Sequence, residues 1–413
     1  MAIDSQSTAD LRLARDGGSP ARTRPERPMF PGGMEVGDEE LQALERVIRS
    51  RNLFRYYGVG DGPAEVASFE AEFAEHLGAA HALAVNAGSS ALICGLIGSG
   101  VGPGDEVIVP AYTWNATPNA VIAAGAVPVL AEVDDSLTID PADVERKITA
   151  RTKALLPVYM RGSTGDLRAL QELARRHGLA LIEDACQAAG ASFEGRPLGT
   201  FGDAGAFSLQ FNKIITTGEG GVMVTNRRDV YELAIEVHDC AGPVRQGGDP
   251  PRFPGWNFRA SELTGAVARV QLRRLDGLLE RMRANHARLA GAVAELPGLT
   301  LRRSNDASGD AGMTLIAFAE TPALAADAVG ALQAEGVPAL QIYDPGFVDL
   351  HVYPFWRPVL ERIAAAGLPA PDCPRTLDLL GRAVHVDVPP QLDDEDLGEY
   401  ELAFRKVALG VLA

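Results

Sequence analysis

The residues that could do chemistry concentrate in one segment, Phe207-Ser208-Leu209-Gln210-Phe211-Asn212-Lys213-Ile214-Ile215-Thr216-Thr217-Gly218-Glu219-Gly220-Gly221, where one lysine sits among polar and small side chains between two apolar runs. The chain almost avoids lysine. Of 38 basic residues only Lys147, Lys153, Lys213 and Lys406 are lysines, and the rest are arginines, which stay protonated and cannot form a Schiff base with a carbonyl. Lys147 and Lys153 fall in the charged stretch Glu145 to Lys153, and Lys406 follows Arg405 in the terminal helix; all three read as solvated surface. If the chain performs imine chemistry, the amine is that of Lys213.

Three further groups could serve such an amine. Leu181-Ile182-Glu183-Asp184-Ala185-Cys186-Gln187 ends an apolar run in two carboxylates, at the strand edge where open α/β sheets place ligands. Asp184 there is either the N-cap of a following helix or a carboxylate paired with a protonated ring nitrogen. Asn86-Ala87-Gly88-Ser89-Ser90 joins a strand to a helix, so free N–H groups and small hydroxyls converge where a phosphate could dock, although serine is also a common cap. Tyr112-Thr113-Trp114-Asn115 sets an aromatic side chain just after a strand, as a core or interface residue or as a stacking platform.

Other chemistries recede. The chain has no G-x-x-x-x-G-K-[ST] loop, no complete G-x-G-x-x-G and no H-E-x-x-H. Its seven histidines include no pair three or four apart, and the four cysteines, Cys94, Cys186, Cys240 and Cys373, form no C-x-x-C, so no metal site or disulfide framework is expected. A formal charge of −17 repels nucleic acid and anionic lipid, which argues against both as partners. Hydrophobic content of 46% with 23% charged residues suits a folded chain. With no basic-then-apolar start and no run near the roughly 18 apolar residues of a membrane helix, the expectation is a soluble, cytoplasmic protein.

The elements that must position these residues follow from periodicity. Residues 1 to 33, rich in Arg, Pro, Gly and Ser, read as a loosely held, flexible arm. Helices follow Asp38 and Pro63. Short apolar runs at Leu83–Val85, Val107–Val109, Val127–Leu130, Ala154–Val158, Ala180–Ile182, Gly205–Ser208 and Val222–Thr225 then alternate with amphipathic stretches, which predicts an α/β fold with a mostly parallel sheet between helices. A helical stretch from Ser261 to Leu296, on the order of 50 Å long, suits a connector to a smaller α+β region, with strands near 299–301, 314–318 and 339–343 and a helix at 323–335. The expected division is an arm over 1–33, a large cofactor-binding domain over 34–285 and a small C-terminal domain over 286–413.

Taken in order, Gly88-Ser89-Ser90-Ala91-Leu92, Gly102 to Pro110, Glu183 to Gln187, Ser208 to Gly221, and Gly255-Trp256-Asn257-Phe258-Arg259 with Ser261-Glu262 resemble the DegT/DnrJ/EryC1/StrS family of sugar and cyclitol aminotransferases. The resemblance implies fold type I, with a seven-stranded sheet in the large domain, and pyridoxal 5'-phosphate (PLP) as cofactor, passing through its pyridoxamine form. It implies that Lys213 holds the cofactor and then moves a proton, and that Asp184 keeps the pyridine nitrogen protonated. Trp114 would stack on the ring, Gln187 would lie near the phenolic oxygen, and Gly88, Ser89 and Ser208 would hold the phosphate. Asn257 would reach the phosphate of a neighbouring subunit, which implies a homodimer with shared active sites.

The implied reaction moves an amino group from glutamate or glutamine to a keto-sugar or keto-cyclitol, in amino-sugar or natural-product biosynthesis. Departures bear on substrate. Asn212 stands where Thr or Ser is frequent, and Gln210 stands where many nucleotide-sugar enzymes carry His, as in the branch acting on inososes and aminohydroxybenzoate precursors. Asn52-Leu53-Phe54-Arg55-Tyr56 and Lys213 to Gly221 are similar to aminotransferases that make 8-amino-octulosonate, so Tyr56 joins Gln210 as a substrate candidate. Tyr159 replaces a frequent His, and Arg161 either contacts an anionic group of the substrate or is a surface arginine. The alternatives are a PLP-dependent or PMP-dependent sugar dehydratase, which carries His in place of the lysine, and a catalytically silent homologue acting as a partner protein.

Overall fold

The computed structural model describes residues 11–59, 62, 64–245 and 247–412; Pro63 lies outside them. In chain order the elements begin with α1 (Asp38–Ser50), α2 (Glu65–Leu77), β1 (His81–Val85), α3 (Gly88–Gly98), β2 (Glu106–Pro110), α4 (Ala116–Ala123) and β3 (Val127–Ala131). They continue with α5 (Pro141–Lys147), β4 (Thr152–Leu155), α6 (Leu167–His177), β5 (Ala180–Asp184), a two-stranded ribbon of β6 (Ser192–Phe193) and β7 (Arg196–Pro197), β8 (Ala204–Ser208), β9 (Gly221–Thr225), α7 (Arg228–His238), α8 (Gly242–Arg245) and α9 (Glu262–Ala294).

Seven of these strands form one sheet in the order β1-β9-β8-β5-β4-β2-β3. All its pairings are parallel except those of β9, which runs antiparallel to both β1 and β8. The strands are short and apolar because helices cover both faces; every residue of β2, β8 and β9 is buried. The sequence reading of alternating strands and helices holds here, and this is the fold type I architecture.

The C-terminal region adds β10 (Thr300–Leu301), β11 (Thr314–Phe318), α10 (Pro322–Ala334), β12 (Ala339–Gln341), α11 (Arg357–Ala365), α12 (Pro374–Arg382), β13 (Ala383–Asp387) and α13 (Asp394–Val407). Its four-stranded antiparallel sheet has the order β10-β11-β13-β12. Sequence periodicity missed β13, an internal strand entered directly from α12. The 33-residue α9 is continuous across position 285, so the expected boundary at 285–286 falls inside one helix that packs against both regions. Among the described residues no helix is long and apolar enough to cross a membrane.

Two expectations are corrected. Residues 11–33 contain only two 3-10 turns, the second running on to Glu35, yet they are tied down. Arg22 is buried and bonds Asp396 (2.6 Å) and Glu399 (2.5 Å), while the backbone N–H groups of Ala14 and Ala21 donate to Glu335 (2.7 and 2.8 Å). Lys406 is not surface: it is 1% exposed, ion-paired with the equally buried Glu335, and donates to the carbonyl of Ser19 at 2.7 Å. Composition alone cannot reveal such anchoring, because each partner comes from a remote part of the chain. Lys147 is likewise half-buried against the Leu130 carbonyl (2.6 Å), whereas Lys153 is exposed as expected.

Candidate active site

Because β9 is antiparallel to both neighbours, β1 runs parallel to β8, and the C-terminal ends of β1, β2, β5 and β8 meet at one sheet edge. The loops leaving those ends carry Gly88 and Ser89, Trp114, Asp184 to Gln187, and Ser208 to Lys213. They surround a cavity of about 350 Å³. Lys213 lies in the β8–β9 connection, which is cinched by Leu209 N–H to the Gly220 carbonyl and Thr217 N–H to the Leu209 carbonyl, both 2.9 Å. The glycines here serve close approach: a Cβ on Gly221 would stand 2.4 Å from the Ala87 carbonyl oxygen.

The Lys213 amine has no hydrogen-bond or ion-pair partner among the described residues. Burial pushes its pKa below the ordinary lysine value, an effect that Cys186 and Asp184 oppose and Arg161 reinforces. A lowered pKa favours the neutral amine, the form able to act as nucleophile or base. Asp184 is 4% exposed. One of its oxygens accepts from Thr117 Oγ1 at 2.7 Å and the other from Cys186 N–H at 3.1 Å, while Thr117 is braced by Thr113 (2.8 Å). No helix follows Asp184, so the N-cap alternative falls. Burial, joined by Asp184, drives the Cys186 thiol well above its ordinary value, so it is an inert neighbour.

Glu183, the adjacent carboxylate, is structural. It is fully buried and accepts from Tyr159 Oη (2.6 Å) and from the N–H groups of Gly199 (2.8 Å), Phe201 (2.6 Å) and Gly202 (2.7 Å). Alternation along β5 separates the two acids, one to the cavity and one to the packing beneath. Tyr159 is thereby committed to Glu183. Gly88 opens α3, and a Cβ there would lie 2.8 Å from Ser208 Cβ and 3.0 Å from Cys186 Sγ. Ser89 stands in the first turn of that helix and its side chain is not a cap, so its hydroxyl and the unsatisfied N–H groups face the cavity together.

Of the residues expected at the site, Gly88, Ser89, Trp114, Asp184, Gln187, Ser208, Gln210 and Lys213 line this one cavity. Three do not. Tyr56 bonds His238 Nε2 at 3.0 Å on the far side of β1. Asn257 is exposed, its carbonyl beside the Asn86 amide (3.4 Å). Arg161 lines an adjoining cavity instead, and the surface reading of it fails: Tyr112, Asp387 and Asp349 lie around it. Sequence reasoning missed His351. Its ring lies 4.9 Å from that of Trp114 and its Nδ1 meets Asp349 Oδ1 at 2.7 Å. Long-range contacts such as the Tyr112–Val352 bridge and the Thr113 N–H to His351 carbonyl bond (2.9 Å) bring it in.

The cavity thus combines an unpaired amine, a fixed carboxylate, an aromatic face and a helix N-terminus with two serine hydroxyls. That donor set fits a phosphorylated heteroaromatic aldehyde. The described residues hold no cluster of His, Cys, Asp and Glu able to bind a metal.

The comparisons agree. Residues 35–399 match the DegT/DnrJ/EryC1/StrS aminotransferase family model. The chain is 38% identical over 307 residues to the L-glutamine:2-deoxy-scyllo-inosose aminotransferase of Streptomyces kanamyceticus, covering 71% of this chain and 70% of that protein. It is 30% identical to the spore coat polysaccharide biosynthesis protein SpsC of Bacillus subtilis (strain 168), over 91% of this chain and 96% of that one. The crystal structure of 3-amino-5-hydroxybenzoic acid synthase superposes with a TM-score of 0.79 at 30% identity, covering 93% and 99% of the two chains. The cavity chemistry and these matches converge: the chain belongs to the DegT/DnrJ/EryC1/StrS family and is a PLP-dependent aminotransferase.

Proposed function

We propose that this enzyme transfers an amino group from glutamine or glutamate to a keto-cyclitol or keto-sugar in amino-sugar or natural-product biosynthesis. The observation that carries the reading is the Lys213 amine, without a partner in a cavity whose floor is the Asp184 carboxylate. A lysine at this position also separates the chain from the dehydratases. The scyllo-inosose relative and Gln210 favour a cyclitol over a nucleotide-linked acceptor.

Bound PLP supplies an electron sink that lets a proton leave the substrate carbon. Lys213 would hold it and would then serve as the base that moves that proton. Asp184, held by Thr117 and the Cys186 N–H, would accept a ring N–H and favour its protonated form. Gln187 accepts the Arg161 backbone N–H through its Oε1 (2.9 Å), which leaves its amide N–H groups to donate to the phenolic oxygen. Trp114 would cover a ring face, while Ser89, Ser208 and the Gly88 backbone would hold the phosphate. Asn257 serves the site of a second copy. Leu53, Tyr57, Val244 and Trp256 are exposed, and the stacking of Arg245 over Phe54 and the Phe54–Ser261 bridge bring their segments together, as a dimer face would.

Product analysis by mass spectrometry and NMR, with amino-acid donors and a panel of neutral keto-cyclitols, free keto-sugars and nucleotide-linked keto-sugars, tests the substrate. Turnover of the nucleotide-linked compounds alone would overturn the cyclitol preference. For the shared site, mixing Lys213→Ala with Asn257→Ala chains should restore activity in hybrid dimers. No recovery despite confirmed subunit exchange counts against a role for Asn257 across the interface.

A further inference from the structure

Beside the Lys213 cavity lies a second one of about 560 Å³, and Asn212 lines both. Arg161 lines only the second, and its link to the first is through Gln187, which lines that one and accepts the Arg161 backbone N–H. Arg161 is held in the left-handed region (φ 56°, ψ 31°), costly for a non-glycine residue and tolerated only where surroundings enforce it. Here the Gln187 side chain takes its N–H, and the flanking Gly162 bonds Tyr159 (3.2 Å) and Ala311 (3.0 Å).

Arg161 is also the exception in an arginine-rich chain. Every other arginine that is not exposed, among the described residues, has a carboxylate or carbonyl partner: Arg302 pairs with Asp310 (3.3 Å), and Arg283 bonds the carbonyls of Asp310 (2.8 Å) and Gly190 (3.2 Å). Arg161 makes no ion pair, and its buried Nε forms no hydrogen bond of good geometry; the buried Tyr112 hydroxyl, Asp387 and Asp349 lie close enough to favour its charge without contacting it as a counter-ion. Neither of the acids nearby contacts it: Asp349 holds His351, and Asp387 faces His385 Nε2 at 3.3 Å without a hydrogen bond of good geometry. Arg27, the other cation lining this second cavity, is bound to Asp393 and Asp396, and Glu26, the remaining acid, is exposed. A guanidinium withdrawn from water with no carboxylate in contact leaves its donors unfilled, and a carboxylate matches its paired donors.

We propose that Arg161 receives a substrate carboxylate in the second cavity. The proposal rests on the aminotransferase reading and names a feature of its substrate. The influence of Arg161 on the Lys213 amine places its charge within electrostatic reach of the reacting end. Two sources share this chemistry, the amino-acid donor and an acceptor that is itself an acid.

The test uses the PLP-loaded enzyme and Arg161→Met, with Arg161→Gln as the second variant should the first not fold. Calorimetric titration with glutarate, which carries carboxylates but no amine or carbonyl to react, should show binding weakened at least about 10-fold in the variant. Steady-state kinetics then assign the source. A donor carboxylate predicts a KM for L-glutamine or L-glutamate raised about 10- to 100-fold with kcat little changed. An acceptor carboxylate predicts the same rise for keto acids, with donor KM and neutral keto-cyclitols unaffected. Absence of glutarate binding to the wild type, or equal binding by a folded variant, overturns the proposal. A wild type that transfers no amine from any amino acid counts instead against the aminotransferase reading, and the glutarate titration still decides for Arg161.

Discussion

Lys213 and Lys406 show two ways of withdrawing a lysine from water. Lys406 lies between α13 and α10, where Glu335 and the Ser19 carbonyl meet its charge, and Glu335 in turn receives two N–H groups of the N-terminal segment. Lys213 lies in a loop at the sheet edge and is given no counter-ion in contact. Burial therefore does opposite work at the two sites. Around Lys406 the charges hold each other and fasten the first described residues to the C-terminal region. Around Lys213 the missing partner lowers the amine's affinity for its proton and leaves the nitrogen available for chemistry. The teaching is that a rare lysine is informative, while its environment decides whether it fastens or reacts.

Exchanging one residue at each site should break this comparison most strongly. Lys213→Ala should abolish the yellow colour of the PLP-loaded protein and lower transamination by about 10³-fold or more, with a melting temperature equal to or above that of the wild type, because an unpaired amine is removed. Unaltered turnover would sink the mechanism. Lys406→Met should do the reverse, costing about 3–5 kcal/mol in urea unfolding by leaving Glu335 uncompensated, and it should expose residues 11–33 to limited proteolysis. Activity per folded molecule should stay within about 2-fold. A variant as stable as the wild type would show that the pair fastens nothing.

His238 sharpens the comparison with a third solution, burial as a neutral group. Its Nδ1 donates to the Ile235 carbonyl (2.7 Å) and its Nε2 accepts from Tyr56 (3.0 Å), while burial, with the nearby Arg55, lowers its pKa to about 4. The unfolded chain binds this proton near pH 6.5 and the folded chain only near pH 4, so stability is present above pH 6.5 and lost as pH falls between the two. From pH 7 to pH 5 the loss should be about 2 kcal/mol, read by urea unfolding. His238→Gln should flatten that slope, and an unchanged slope would show that other groups carry it.

What could be read in advance follows the same division. The sheet strands, the cavity loops and the candidacy of Lys213 and Asp184 were legible because each rests on a contiguous signal: an apolar run, a strand ending in carboxylates, or a glycine-rich connection beside a lone lysine. Even there, two adjacent acids could not be told apart until the pleat of β5 turned Asp184 to the cavity and Glu183 to the packing. His351 gave no local sign, since it enters through a bridge to Tyr112 formed more than 200 residues away in the chain.

The sequence by itself determined the fold class, the family and the amine proposed to do the chemistry, because periodicity and strand-end motifs are local and survive without coordinates. Only the tertiary structure decided which basic residues are neutralised: Lys406 by Glu335, Arg22 by Asp396 and Glu399, and Arg161 by no carboxylate within ion-pair distance. Neutralisation is a long-range property. It depends on which side chains packing brings within a few ångströms, and on how much water packing removes from between them.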